Sequence, residues 1–216
     1  MADGLESAGW TAGVDEVGRG ALFGPVAAAA VVLTEAAASE LLDLGVRDSK
    51  QLSARRREAL AIAIQQRATD CRIGVASVRE IDRLNILQAS LLAMRRAILR
   101  LSPIPSLCLI DGNQAVPALP MAQQTVVKGD QHCCAIAAAS IVAKVWRDTL
   151  ITRLDCRYPG YGLATNKGYG SLKHRQALAL LGPTCQHRRS FRTCRNQPTG
   201  IDAGTAPVVI EQMPLL

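Results

Sequence analysis

Aromatic residues make up only 3% of this 216-residue chain. A surface that stacks unpaired bases needs rings, so a single-strand-binding platform is excluded as the main activity. Long hydrophobic runs are missing as well. No stretch reaches the roughly 18 uncharged apolar residues that a membrane span requires. The longest run, Pro25 to Leu33, has the length of a buried strand. Residues 1–10 lack both a basic start and an apolar core, so no secretory signal is read there. The seven cysteines follow no framework spacing, and only Cys133 and Cys134 are adjacent. They are taken as reduced thiols in a cytoplasmic protein. His132 beside Cys133 lacks the paired Cys-x-x-Cys expected of zinc. Acidic residues are in the minority, 18 against 25 lysines and arginines, a net charge of +7. That balance favours a polyanionic partner, although charge alone specifies no fold. With few rings available, such a partner would be read through its backbone.

The pattern along the chain is α/β with a mixed central sheet flanked by helices. Residues 10–17 and 25–33 predict two strands around a glycine-rich turn, paired as a hairpin. A short helix is expected over 39–44 and a polar loop at Asp48-Ser49-Lys50. Ser53 would cap a helix running to about Thr69. A third strand is expected over 72–78, then a long helix over 85–101, ended by Pro103 and Pro105. Leu107 to Ile110 is wholly apolar, as in a strand buried on both faces. A further strand over 124–127 and a small-residue helix over 133–155 follow. Residues 1–156 would form the main domain and 157–195 a helical and loop extension, with Ser171 capping a helix to 181. Residues 196–216 have the Pro/Gly/Thr-rich composition of a disordered tail.

The densest chemistry lies in Gly13-Val14-Asp15-Glu16-Val17-Gly18-Arg19-Gly20. Two carboxylates end an apolar strand, glycines without Cβ permit close backbone approach, and Arg19 suits phosphate. Asp111 ends the central strand, and Asp130 precedes the long helix. Sites in open α/β sheets form outside strand ends, so these acids can converge. Clustered carboxylates repel unless cations lie between them, and oxygen-only donors suit Mg²⁺ or Mn²⁺. Two such ions about 3.5–4 Å apart support phosphodiester hydrolysis. One difficulty is that neighbouring strand residues point to opposite faces. Asp15 and Glu16 can both serve only if the strand bends or one uses its carbonyl.

In order along the chain, the Gly13–Gly20 stretch, Asp48-Ser49-Lys50, Asp111-Gly112-Asn113 and Lys128-Gly129-Asp130 resemble the motifs of bacterial ribonuclease HII, a type 2 RNase H. So do Ala138 to Val145 with Arg147-Asp148, and Asn166-Lys167-Gly168-Tyr169-Gly170. The resemblance implies an RNase H-like fold with a small helical C-terminal extension. It implies a metal-dependent endonuclease that cuts RNA in RNA–DNA hybrids. It also implies cutting 5′ of ribonucleotides embedded in duplex DNA, leaving 3′-hydroxyl and 5′-phosphate ends, a step of ribonucleotide excision repair. Carried over by position, Asp15, Glu16, Asp111 and Asp130 would be catalytic metal ligands for Mn²⁺ or Mg²⁺. Gly18, Arg19 and Gly20 would read the ribose 2′-hydroxyl, and Tyr169 would pack on the following sugar. Lys50, Ser140, Lys144, Arg188 and Arg189 would contact phosphate or support the site. The chain is taken to act as a monomer. It departs from the family pattern at Trp146 and Ser171, where threonine is common, and at Gln131 to Cys134.

Plainer roles stand beside these. Asp111 before Gly-Asn suits a simple turn. Asp130 suits a helix cap, and Asp148, four residues after Lys144, suits an ion pair on a helix face. Arg55, Arg56 and Arg57 fit a solvated helix face, and His174 and His187 have no evident partner. Two other functions compete: a non-catalytic duplex binder on the same scaffold, and another RNase H-like phosphotransferase such as an integrase-type enzyme.

Overall fold

The computed structural model describes residues 9–47, 49 and 52–195. Lys50 and the 196–216 tail lie outside them. Five strands form one sheet: β1 (Thr11–Val17), β2 (Val26–Val32), β3 (Asp70–Ala76), β4 (Leu107–Asp111) and β5 (Ala122–Val126). Their order is β3-β2-β1-β4-β5. Strand β2 runs antiparallel to both β1 and β3, and β4 and β5 run parallel to β1. The expected hairpin is present, joined by a long loop over 18–25 rather than a tight turn.

Helices cover both faces. On one side α4 (Ile86–Ile98) packs Ala89, Ala93, Met94 and Ala97 against Ala12, Val14, Ala28 and Ala30. On the other, α6 (Cys134–Asp155) packs with α2 (Ala54–Arg67) and α1 (Glu35–Asp43) over Ala29 and Val31. All seven residues of β2 are buried, since its alternating side chains enter both layers. Alanines on β2 and α6 let these layers approach closely, and Gly13 carries this furthest. A Cβ there would lie 2.2 Å from the backbone carbon of Ala135. Helix α6 therefore rests directly on β1, with its middle turns above the strand's C-terminal end.

Several boundaries differ from those the sequence predicts, each for a local reason. Helix α1 starts at Glu35, because Thr34 accepts the Ala37 N–H at 3.1 Å. Strand β3 begins at Asp70, which pairs with Val32, and stops before Ser77. Ser77 instead caps α3 (Val78–Leu84), a helix the sequence reading missed. Its hydroxyl accepts from Glu80 N–H, while the Glu80 carboxylate accepts the Ser77 N–H at 2.8 Å. The Ser-x-x-Glu signature was legible. Helix α4 starts as predicted, with Asn85 as its cap, but ends at Ile98 rather than 101. Strand β5 starts two residues earlier and ends one earlier, its register set by Leu107 opposite Ala122.

The predicted helix over 133–155 is present as α6, preceded by a separate single turn. Helix α5 (Gly129–His132) is followed by Cys133 in extended backbone, and only then does α6 begin. Asp130 thus lies in a one-turn helix of its own rather than at the head of the long one.

Beyond α6, the short helices α7 (Leu163–Asn166), α8 (Leu172–Leu181) and α9 (Arg192–Arg195) fold back onto the 18–25 loop. Leu22 N–H donates to Gly168 O at 2.8 Å, Gly24 N–H to Gln186 O at 2.8 Å, and Arg188 N–H to Leu22 O at 2.9 Å. A third apolar cluster seals this contact, with Phe23, Trp146, Leu150, Ile151, Tyr158 and Tyr161 at its centre. Trp146 is buried there. No described helix is long and apolar enough to cross a membrane.

Candidate active site

Strand register brings the acids together. Val14 pairs with Ile110 at the end of the parallel β1–β4 ladder, so the next residues, Asp15 and Asp111, stand side by side on neighbouring strands. They line a cavity of about 410 Å³ together with Glu16, Gly18, Arg19, Ser140, Lys144 and Tyr169. Val17, Ser49 and Arg57 complete it. Asp130 is buried, at 4% exposure, and lies outside the lining.

The β1–β2 ladder is not interrupted at Asp15-Glu16, and both residues line the cavity. Pairing continues unbroken through Val17 opposite Ala27. Arg19, three residues on, holds the Glu16 carboxylate at 3.0 Å.

Each acid is tethered by protein donors. Asp15 Oδ1 accepts the Glu16 N–H at 2.7 Å, and Asp111 Oδ1 accepts the Gly129 N–H at 2.7 Å. The Ser140 hydroxyl lies 2.9 Å from the Ser49 hydroxyl, and its influence on Asp15 favours the ionised carboxylate.

Burial holds Asp15 well above the usual carboxylate range, and the charges of Glu16 and Asp111 push it further. The bonds from Ser140 and the Glu16 N–H oppose that rise. Glu16 is also raised, chiefly by burial, and Arg19 counteracts it. Removing the Ser140 donor is therefore expected to raise Asp15 further. Ser140→Ala should move the acid limb of the single-turnover rate–pH profile to higher pH. An unmoved limb would rule out this coupling.

Clustered, partly desolvated carboxylates without histidine or cysteine in the lining fit a hard divalent cation. Among the described residues, no three metal-capable side chains converge into a closed cage.

A family model described as Ribonuclease HII matches residues 12–194. The chain belongs to the ribonuclease HII family. The Ribonuclease HII of Acaryochloris marina is 67% identical over 184 residues, covering 85% of this chain and 93% of its own. That of Trichodesmium erythraeum is 62% identical over 193 residues, covering 89% and 91%. The crystal structure of ribonuclease H2 from Pyrococcus horikoshii matches with a TM-score of 0.72 at 28% identity, covering 86% of this chain and 95% of that one. The chain is accordingly a hydrolase, an endonuclease of the RNase H type.

Other expected residues fall out differently. Lys144 lines the cavity and pairs with Asp148 at 2.8 Å, as the helix spacing predicted. Arg57 does not sit on a solvated face. It donates to the carbonyls of Ser49 and Leu52 and reaches the cavity. Its place just after the Asp48-Ser49-Lys50 motif was the available signal.

Arg188 is fully buried and faces no phosphate route. It donates to Arg19 O at 2.8 Å and Gly24 O at 3.0 Å, so it braces the glycine turn from behind. Arg189 is exposed, and its N–H binds Asp82. Arg147, quoted only as part of a motif, is likewise buried. It donates to the carbonyls of Phe23, Pro25 and Lys167, each at 3.0 Å. His174 and His187, for which the sequence shows no partner, are both buried and lie against each other.

Proposed function

We propose that this enzyme cleaves RNA in RNA–DNA hybrids and cuts 5′ of ribonucleotides embedded in duplex DNA, leaving 3′-hydroxyl and 5′-phosphate ends. One observation carries the reading: Asp15, Glu16 and Asp111 share a cavity with the Gly18-Arg19 turn, Lys144 and Tyr169. Acids for hydrolysis and groups for reading a sugar and its phosphate thus face the same space.

Asp15, Glu16, Asp111 and Asp130 would hold the divalent cations, Mg²⁺ or Mn²⁺. Bound there, the metal supplies Lewis-acid activation of water and offsets charge on the leaving oxygen. The protein supplies the rest. Gly18, Arg19 and Gly20 present backbone to the ribose 2′-hydroxyl, the group that separates RNA from DNA at one position. Arg19, half exposed beyond Glu16, is placed for a phosphate oxygen. Lys144 lies 5.3 Å from the centre of the Tyr169 ring, so the ring can meet a sugar while the ammonium meets the adjoining phosphate. Lys50, from the motif that includes Ser49, would add a phosphate contact. The basic balance of the chain favours duplex approach. Ribonucleotide excision repair would use this activity, and a monomer in the cytoplasm suffices for it.

The test is a DNA duplex with one ribonucleotide beside an all-DNA control, each with Mg²⁺, Mn²⁺ or chelator, and products mapped to the nucleotide. A metal-dependent cut immediately 5′ of the ribonucleotide, with the control intact, is the expected result. Tight binding without cutting in either metal would make the protein a duplex binder. Cutting of the all-DNA control would make it a different phosphotransferase.

A further inference from the structure

The most completely specified polar contact outside the cavity lies behind Tyr169. His174, in the first turn of α8, is wholly buried, and His187 is 1% exposed. Their Nε2 atoms are 3.2 Å apart. The Thr184 N–H lies 3.0 Å from His187 Nδ1. A backbone N–H only donates, so His187 Nδ1 accepts and the ring carries its proton on Nε2. That proton points at His174 Nε2, which must accept it. His174 is then protonated on Nδ1, which stands 2.9 Å from the Tyr169 carbonyl, an acceptor only. Every ring nitrogen is used, and the neutral pair has one self-consistent arrangement. Direction runs from Thr184 through both rings to Tyr169.

We propose that His174 and His187 are positioning residues that hold Tyr169 in the cavity through this directed hydrogen-bond relay. The idea rests on the reading of Tyr169 as a substrate-facing ring. The Tyr169 carbonyl accepts from two sides, His174 Nδ1 and the Ser171 N–H at 2.8 Å. Residue 169 is further tied to Ala21 in the loop after the glycine turn, and His187 to Phe23, by isolated β-bridges. The relay thereby sets the Tyr169 backbone relative to the same loop that carries Gly18 and Gly20. Adding a proton to either ring would set two N–H groups face to face. Burial opposes that event and pushes His187 down to about 3, with His174 and Arg189 contributing. His174 is lowered too, by burial. The other titratable groups against the pair are Tyr161 and Tyr169, with Arg188 beside His187 in the chain; none offers a counter-charge to an imidazolium.

Long-range ¹H–¹⁵N spectra of the histidine rings at neutral pH test the relay in the unaltered protein. His174 protonated at Nδ1 only and His187 at Nε2 only is the expected pattern, and any other tautomer overturns it. Kinetics on the single-ribonucleotide duplex test its purpose. His174→Leu should lower kcat/KM roughly tenfold or more, within the ~10²-fold scale of an ångström's misplacement. His174→Asn, whose amide N–H can stand in for Nδ1–H, should recover most of the loss. The Tyr169→Ala/His174→Leu double variant should be no slower than Tyr169→Ala alone. Additive losses would assign the pair a merely structural role. A slow Tyr169→Ala with an unimpaired His174→Leu would overturn this inference alone. An unimpaired Tyr169→Ala would remove the reading of Tyr169 and the inference with it. Should His174→Leu fail to fold, the spectra and the asparagine variant decide.

Discussion

Asp15→Asn is expected to abolish cleavage and, in chelator, to raise the melting temperature. Both effects have one origin. Asp15 is buried beside Glu16 and Asp111, and its ionised form is disfavoured in the folded state. The sign follows from linkage. A carboxyl raised above its unfolded value loses stability as pH rises from the ordinary range, about 3.9 for aspartate, through the folded value. At neutral pH without metal, the charge on Asp15 therefore opposes folding. Asparagine keeps the shape, can still accept from Ser140, and removes the charge. Each kcal/mol relieved is worth about 2–4 °C for a chain of this size. The same charge is what a divalent cation needs, so the variant should gain little stability from Mn²⁺ or Mg²⁺, whereas the unaltered protein gains by mass action. Turnover should fall about 10³-fold or more, equivalent to roughly 4 kcal/mol of lost charge stabilisation. Calorimetry with and without metal, paired with single-turnover rates, measures both. A lower melting temperature in chelator would show that Asp15 is a structural acid.

Gly18→Ala and Gly20→Ala should separate folding from reading. Gly18 has φ +91°, and a Cβ there would lie 2.2 Å from Arg147 Nε and 2.7 Å from its Cδ. Arg147 has no room to yield, since three carbonyls hold it. Strained backbone and overpacking together should cost roughly 2–5 kcal/mol. Gly18→Ala should unfold earlier in denaturant and lose activity as a consequence. At Gly20 an added Cβ meets nothing within 4 Å. Gly20→Ala should melt as the parent does, yet lose up to about 10²-fold in kcat/KM on the single-ribonucleotide duplex, because a methyl group separates backbone from ribose. Equal activity in Gly20→Ala and the parent would mean that the turn does not press against the sugar.

Local patterns were legible because they are short-range. Thr34, Ser53, Ser77 and Ser171 each cap the helix that follows, using a side-chain oxygen and an N–H three residues on. The Ser77 box was overlooked, and its absence from the reading displaced the end of β3. Asp15 and Asp111 were recognisable as strand ends, and parallel register between β1 and β4 then made them neighbours. Asp130 precedes the long helix as expected, but the one-turn helix that holds it was not legible, because the break at Cys133 has no strong signature. Arg188 looked like a phosphate ligand because its charge is visible in sequence and its burial is not.

What the sequence by itself determined is the mixed α/β order and the family, and it marked the acids and the glycine turn as the candidates for the site. These depend on residue type, spacing and strand alternation. Only the tertiary structure decided that Ser49 meets Ser140, that Arg147 and Arg188 brace the glycine turn, and that two histidines close on each other behind Tyr169. Such contacts join residues 91 to 169 positions apart in the first two cases, and across a helix and a loop in the third. No periodicity encodes them. They arise because a buried polar group must find its partner wherever the packed chain brings one within reach.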